Sequence, residues 1–178
     1  MRRLMLLRHA KTEGHAPSGE DIDRRLDERG RNDAVVIGEW MAGQRHRPRR
    51  VLVSTAVRAR QTWDIAGPLL DRAVPDVVYL PELYLAEPAE LLHTIRSNSA
   101  NATPLLLIGH NPGLHELALM LAGEGTADAR YALSNNLPTS GLAVIDFDIT
   151  DWGDVAFQRG RLMQFVSPKL LRQTSDDA

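Results

Sequence analysis

Residues 105–113 read LLLIGHNPG, and this stretch carries the strongest indication of the fold. Its first five residues form a continuous apolar run, which is typical of a strand buried on both faces of a sheet. A turn follows at residues 110–113, and residues 114–121 then predict a helix. The stretch therefore predicts a strand–turn–helix unit with a histidine, His110, in the turn.

Similar apolar runs recur along the chain and alternate with segments of helical periodicity. Further strands are predicted at residues 3–8, 51–54, 77–80 and 142–148, with one or two more around 155–166. Further helices are predicted after the N-cap Asp27, over residues 57–70 and over residues 88–97. The alternation predicts an α/β fold with three layers, α/β/α. Its central sheet should be mostly parallel, with antiparallel edge strands near the end of the chain.

Length and composition limit the classes of protein that fit. The 178 residues suit one domain, predicted over residues 1–168, with a polar, flexible tail over residues 169–178. The net charge of −2 does not indicate a nucleic-acid or membrane-surface partner. The absence of cysteine excludes a disulfide framework and a thiol nucleophile. No apolar run approaches the ~20 residues of a membrane span, and we expect a cytoplasmic protein.

Charged and polar residues follow three of the predicted strands. Arg8 and His9 end the first strand, Arg58 lies one turn into the helix after the second, and His110 follows the fourth. Taken singly, each has a simpler interpretation as a surface arginine or a capping histidine. Ligands bind beyond the carboxyl ends of parallel strands, where helix N-termini also point. The convergence of these arginines and histidines at one edge of the sheet therefore predicts an anion pocket, with phosphate as the anion.

Three motifs around these residues resemble those of the histidine phosphatase superfamily, also called phosphoglycerate mutase-like. Residues 7–12, LRHAKT, resemble the family's first motif, R-H-G-x-[ST] after an apolar strand. Residues 54–62, STAVRARQT, match its second motif, S-x-x-x-R-A-x-Q-T. Residues 108–112, IGHNP, resemble its third. One departure is Ala10, which stands where the first motif has glycine; a backbone that needs a positive φ there would be strained.

Within the superfamily the sequence is most similar to the SixA-type phosphohistidine phosphatases, which are short. Only about 50 residues separate Arg58 from His110, so we expect no large helical lid insert. Residues 24–30, RRLDERG, resemble a further element of this group, R-P-L-[ST]-x-x-G. Asp27 takes the capping position there, and Gly30 is expected to allow close approach of another backbone segment.

The resemblance implies a role for each pocket residue. His9 is the nucleophile, neutral at one nitrogen and held at the other by a backbone carbonyl. Arg8 and Arg58 hold the phosphoryl oxygens, and His110 completes the pocket, protonated when phosphate is bound. No metal and no cofactor are expected, because the arginines supply the positive charge.

Further candidates are weaker. Glu82 is the candidate general acid, with Glu87 and Glu90 as alternatives. Glu82 is equally well interpreted as a solvated carboxylate at a strand end. Thr12 is a candidate hydroxyl donor to the phosphate. Three other histidines are interpreted as solvent-exposed: His15, His46 and His93.

These residues favour a phosphatase that works through phosphohistidine on His9, with a phosphohistidine protein as substrate and partner. Two alternatives stay open. One is a phosphomonoesterase acting on a sugar phosphate or a nucleotide. The other is a regulatory module that binds phosphate without turnover. The oligomeric state is not indicated by the sequence.

Overall fold

The computed structural model describes residues 1–70 and 74–177. Seven strands form one sheet: β1 Arg2–Arg8, β2 Arg50–Ser54, β3 Asp76–Leu80, β4 Leu105–Gly109, β5 Ala122–Gly125, β6 Leu142–Phe147 and β7 Gly160–Val166. The α-helices are α1 Glu28–Gly43, α2 Val57–Ala66, α3 Pro88–Asn98, α4 Gly113–Leu121, α5 Ala127–Asn135 and α6 Pro168–Asp176. Within the described ranges, no helix combines the length and the apolar character that crossing a bilayer requires.

The strands lie in the order β3-β2-β4-β1-β6-β7-β5. β1 and β4 pair in parallel at the centre, as their continuous apolar runs predict. Among the described strands only β6 opposes the others, pairing antiparallel with both β1 and β7. The α/β class with a mostly parallel sheet is confirmed. The antiparallel strand lies inside the sheet, because the chain enters β6 at the edge where β1 ends: Gly141 O accepts from Arg8 N at 3.0 Å.

The two faces of the sheet carry separate hydrophobic cores, which give the three predicted layers. Side chains alternate along a strand, so Leu4 and Leu6 of β1 face the core that α3, α4 and α5 cover. Met5 and Leu7 face the other core, against α1 and α2. All four side chains are fully buried. β1 is therefore held from both sides, and the residues that follow it start from a rigid support.

Two elements were not predicted from the sequence. Residues 122–125, AGEG, form β5 at the sheet edge, although they contain no β-branched or aromatic residue. The helix α5 follows at once, and the Thr126 side chain caps it by accepting from Ala129 N at 3.3 Å. β5 is specified by its parallel pairing with β7, about 38 residues later, which a local pattern does not show.

The end of the chain also differs from its prediction. Where the sequence suggested a flexible tail over residues 169–178, the structure has the helix α6, with residue 178 outside the described range. Ser167 caps this helix by accepting from Leu170 N at 3.3 Å. Leu171 packs against the core, and Arg172 donates to the buried carboxylate of Asp33 on α1. These two long-range contacts, with the core and with Asp33, attach the polar C-terminal segment to the rest of the domain.

Gly30 allows the close approach that the sequence predicted, because a Cβ there would lie 1.9 Å from the carbonyl oxygen of Lys11. We expect Gly30→Ala to lower the free energy of unfolding by at least about 2 kcal/mol, since backbone must move to admit the methyl group. Gly43→Ala is the matched control at the other end of α1, where a Cβ meets nothing within 4 Å. Urea denaturation measures both, and equal stability of the two variants would contradict the expected clash.

Candidate active site

The carboxyl ends of β1 and β4 and the start of α2 bring the predicted residues to one cavity. His9 and His110 lie side by side there, with ring centroids 5.2 Å apart. The cavity has a volume of about 570 Å³. It is lined by Arg8, His9, Lys11, Thr12, Gly14, Asp21, Arg24, Arg58, Leu85, His110, Asn111 and Thr139. Residues that are distant in sequence therefore share one pocket, as the strand order requires.

His9 is buried and held in one tautomer. Its Nδ1 lies 2.7 Å from the carbonyl oxygen of Ala10. A carbonyl oxygen can only accept, so Nδ1 carries the hydrogen and Nε2 keeps its lone pair. Burial, and then the nearby positive charges of Arg58 and Arg8, lower the pKa of His9 to about 3 although the Ala10 contact opposes this. At neutral pH the ring is thus uncharged, with the lone pair of Nε2 free to attack, and Ala10 supplies the carbonyl that the sequence could not identify.

Each of the two arginines is held by at least one hydrogen bond, while its Nε has no partner among the residues that the structure describes. Arg58, only 2% exposed, donates from Nη1 to the Asp21 carbonyl at 2.8 Å and from Nη2 to the Asp21 carboxylate at 3.0 Å. Arg8 donates from Nη1 to Leu137 O at 3.2 Å. Burial and the charge of Arg58 lower the pKa of Arg8. Two buried like charges repel, and a bound anion would relieve that repulsion.

His110 is held from β2. Its Nε2 lies 2.7 Å from the hydroxyl oxygen of Ser54. Burial, followed by the neighbouring His9 and Arg58, lowers the pKa of His110 to about 3. Its ring also contacts Tyr84 edge-on, with centroids 5.4 Å apart. His110 is therefore neutral in this pocket at pH 7.

Three buried nitrogen atoms around His9 lack a hydrogen-bond partner within the described residues. They are Nε of Arg8, Nε of Arg58 and Nδ1 of His110. Buried polar atoms are nearly always paired, so a cluster of three at one cavity calls for a reason. Donors preorganised around a nucleophile stabilise the oxygen atoms of a group under attack. The arrangement suits transfer of a phosphoryl group to His9.

Comparison with known proteins agrees with this chemistry. The sequence model of the histidine phosphatase superfamily (branch 1) matches residues 4–86. An uncharacterised protein of Mycobacterium tuberculosis is 36% identical over 92% of this chain and all of its own length. The crystal structure of the candidate phosphohistidine phosphatase SixA from Agrobacterium tumefaciens is 36% identical. The match covers 94% of this chain and 98% of the Agrobacterium tumefaciens chain, with a TM-score of 0.76.

The chain belongs to the histidine phosphatase superfamily. It is a SixA-type member and a phosphatase. A mycobacterial glucosyl-3-phosphoglycerate phosphatase, solved with vanadate, shares the fold at 18% identity and a TM-score of 0.62, covering 91% of this chain and 97% of its own. The fold of this histidine phosphatase thus also occurs in a protein named for a small-molecule substrate.

Ala10 replaces the motif glycine of this histidine phosphatase without strain, because it is not among the residues with positive φ. Its side chain is fully buried, and its N–H donates to Thr62 Oγ1 at 2.9 Å. Thr62 in turn donates to Arg58 O at 2.7 Å. The threonine of the second motif therefore links the backbone that follows His9 to α2, the helix that carries Arg58.

Not every predicted residue lies at the pocket. Glu82 is exposed on the 3-10 turn Pro81–Leu83 and does not line the cavity. The alternatives Glu87 and Glu90 form a capping box at the start of α3. Thr12 does line the cavity, where its hydroxyl accepts from Arg24 Nη1 at 2.8 Å.

Two site residues were missed because they come from segments without a motif. The Asp21 carboxylate lies at the cavity wall and accepts from Arg24 Nε at 2.9 Å as well as from Arg58. Tyr84 donates its hydroxyl to the same carboxylate at 2.5 Å. Tyr84, and then Arg58 and Arg24, lower the pKa of Asp21 to about 2. Asp21 is thus ionised at neutral pH, and only its place in the fold reveals it.

The predicted exposure was correct for His15 and His93 but wrong for His46, which is 4% exposed. Its Nε2 lies 2.6 Å from Gln164 Oε1, and its ring packs on Trp40. Gln164 lies on β7, 118 residues further along the chain, so the local sequence does not reveal this partner. His46 is a structural residue remote from the cavity.

The lowered pKa values predict a loss of stability in mild acid. Unfolded histidine has a pKa of 6.5, whereas His9 and His110 have about 3 when folded. The unfolded chain therefore binds protons first as pH falls, and we expect each ring to reduce the free energy of unfolding by up to about 2 kcal/mol between pH 7 and pH 5. Asp21 stays ionised over this range and does not contribute. Urea titrations at both pH values measure the loss.

The variants His110→Ala and His15→Ala separate this effect from general acid sensitivity. The first removes a buried ring and should weaken the pH dependence, while the second removes an exposed ring and should keep it. A free energy of unfolding that is level from pH 7 to pH 5 would show that both buried rings protonate as readily in the folded protein as in the unfolded one.

Proposed function

We propose that this phosphatase removes the phosphoryl group from a histidine of a protein substrate, through a covalent phosphohistidine on His9. The observation that carries the proposal is the set of three unpartnered nitrogens of Arg8, Arg58 and His110 around the uncharged ring of His9. They can hold phosphoryl oxygens while Nε2 of His9 is available for attack.

The reaction takes two displacements at phosphorus. In the first, the lone pair of His9 Nε2 forms a bond to phosphorus, and the bond from phosphorus to the substrate nitrogen breaks. In the second, water attacks the phosphoryl group, the bond to Nε2 breaks, and orthophosphate leaves. Nδ1 keeps its hydrogen throughout, because the Ala10 carbonyl holds it, so His9 returns to its starting form.

The choice of substrate rests on the leaving group. Among the described residues that line the cavity, Asp21 has the only carboxyl group, and its pKa of about 2 leaves it without a proton to give. An alkyl phosphate ester would leave as an alkoxide and needs such a proton. A phosphohistidine already protonated on its second ring nitrogen leaves as neutral imidazole. A pocket without a general acid therefore favours a phosphorus–nitrogen bond.

Two further observations support a substrate carried by a protein. The cavity is open at a rim where the side chains of Lys11 and Leu85 are exposed, and the part of the chain that the structure describes contains no inserted lid over it. The similar structure from Agrobacterium tumefaciens is itself named as a candidate phosphohistidine phosphatase. The alternative substrate is a small phosphomonoester, and the test must separate the two.

The test compares three substrates under one set of conditions, with a chelator present: a phosphohistidine-bearing protein, p-nitrophenyl phosphate and a phosphoserine peptide. Their leaving groups need a proton to increasing degrees. We expect kcat/KM to fall in that order, with the phosphoserine peptide at least roughly 100-fold below phosphohistidine, the contribution typical of general acid catalysis. Equal or better turnover of the phosphoserine peptide would overturn the proposal and move the function to phosphomonoesters.

A further inference from the structure

Ser54 is a fully buried residue at the end of β2 that no step of the proposed reaction uses. Its hydroxyl oxygen makes two contacts. Ala56 N–H donates to it at 3.3 Å, and His110 Nε2 lies 2.7 Å away. Ser54 is the first residue of the family's second motif, and its hydroxyl is close enough to His110 to determine which ring nitrogen carries the hydrogen.

The hydrogen positions follow from what each atom can accept. The Ala56 N–H can only donate, so it cannot take the hydroxyl hydrogen of Ser54. Within the described chain His110 Nε2 is the one acceptor in hydrogen-bond contact with this hydroxyl. A buried hydroxyl left without an acceptor costs about 1–3 kcal/mol. The Ser54 hydroxyl therefore donates to Nε2, and the hydrogen of the neutral His110 ring lies on Nδ1.

This tautomer gives a role to Nδ1 of His110, which has no hydrogen-bond partner among residues 1–70 and 74–177. Nδ1 is buried at the cavity wall and carries a hydrogen that no atom of those residues accepts. A phosphoryl oxygen is the acceptor that fits it. His110 can thus donate while neutral, without the additional proton that the family resemblance led us to expect.

We propose that Ser54 is a positioning residue, which fixes His110 with its hydrogen on Nδ1 so that the ring donates to the phosphoryl group during transfer. The inference rests on the proposed function for the presence of a phosphoryl group. The tautomer of His110 does not depend on turnover, so the inference about Ser54 and the proposed function can be refuted separately.

The direct test is the ¹⁵N chemical shifts of the imidazole rings in the ligand-free protein at pH 7, with His110→Gln used to assign the His110 signals. Protonated and unprotonated ring nitrogens differ widely in shift. We expect Nδ1 of His110 to be protonated and Nε2 to be unprotonated and hydrogen-bonded. The opposite pattern in the unmutated protein would overturn the proposal, whatever the enzyme turns over.

Kinetics of Ser54→Ala then test the consequence, using whichever substrate the protein hydrolyses. Without the hydroxyl the ring can carry its hydrogen on Nε2, and part of the donor is lost. We expect kcat to fall roughly tenfold to 100-fold, below the full loss of an oxyanion donor, with the His110 shifts moving toward the Nε2-protonated form. Ser54→Thr, which keeps the hydroxyl, should restore both.

Ser99→Ala is the matched control, because Ser99 is also buried but lies at the end of α3 and does not line the cavity. It should change neither kcat nor the shifts. Melting temperatures of all variants report folding. A lower kcat in Ser54→Ala with unchanged His110 shifts would show a purely structural role and overturn the proposal, as would unchanged kcat together with unchanged shifts.

Discussion

His9→Ala should lower kcat by roughly 10⁴-fold or more, because it removes the nucleophile of the proposed reaction. The three nitrogen atoms that would hold the phosphoryl oxygens belong to other residues and stay in place. The variant should therefore still bind a phosphate mimic such as tungstate, with a Kd within about tenfold of the unmutated protein by calorimetry.

His15→Ala is the control for this prediction, since His15 is exposed and does not line the cavity. Rapid quenching of the unmutated protein with a ³²P-labelled substrate should trap an alkali-stable, acid-labile phosphoryl group, which His9→Ala should lack. Turnover of His9→Ala within tenfold of the unmutated protein, or label trapped on the variant, would place the nucleophile elsewhere.

Arg58→Ala should lower kcat/KM by roughly 10³-fold, comparable to the loss of an arginine that stabilises a transferring phosphoryl group. Arg58 is buried, and its Nη groups are occupied by Asp21 while Nε is unpartnered. Lysine has one terminal ammonium and no second nitrogen along its stem, so Arg58→Lys cannot contact both Asp21 and the phosphoryl group in the same way. We expect Arg58→Lys to recover less than about a tenth of the activity.

Arg60→Ala is the matched control on the same helix. Arg60 is exposed and lies over the Tyr79 ring, 4.9 Å from its centroid, so kcat/KM should change less than threefold. Steady-state kinetics on the best substrate measure all three variants. Full activity of Arg58→Lys would show that a positive charge is sufficient and that the fork of the guanidinium has no role.

Apolar runs predicted β1 and β4 because both are buried on two faces and carry their own signal. β5 has no such signal, since its place depends on pairing with β7. The helical end of the chain escaped prediction for a similar reason: Arg172 on this helix binds Asp33, a buried partner about 140 positions earlier. Sequence patterns thus identified the elements whose own residues form a continuous apolar run. They missed the elements that depend on contacts with residues distant in sequence.

The same division holds at the pocket. Arg8, His9, Arg58 and His110 stand in motifs with fixed spacing to strand ends, so their convergence could be predicted. Asp21 begins a short 3-10 helix, Asp21–Asp23, whose position no sequence pattern specifies. Its contacts with Arg58 and Tyr84 exist only after three separate segments have met. Glu82 shows the opposite case, a residue suggested by position in the sequence that the fold leaves exposed.

The place of β1 between β4 and β6 has a consequence for synthesis of the protein. β1 leaves the ribosome first, but Leu7 obtains its pairing partners Ile108 and Leu142 only about 100 and 135 residues later. At roughly 5–20 residues per second, both edges of the nascent strand stay open for about 5–20 s, and the edge that pairs with β6 stays open for about 7–27 s. Unfinished chains therefore expose both edges of an apolar strand, and this exposure favours their aggregation during rapid expression.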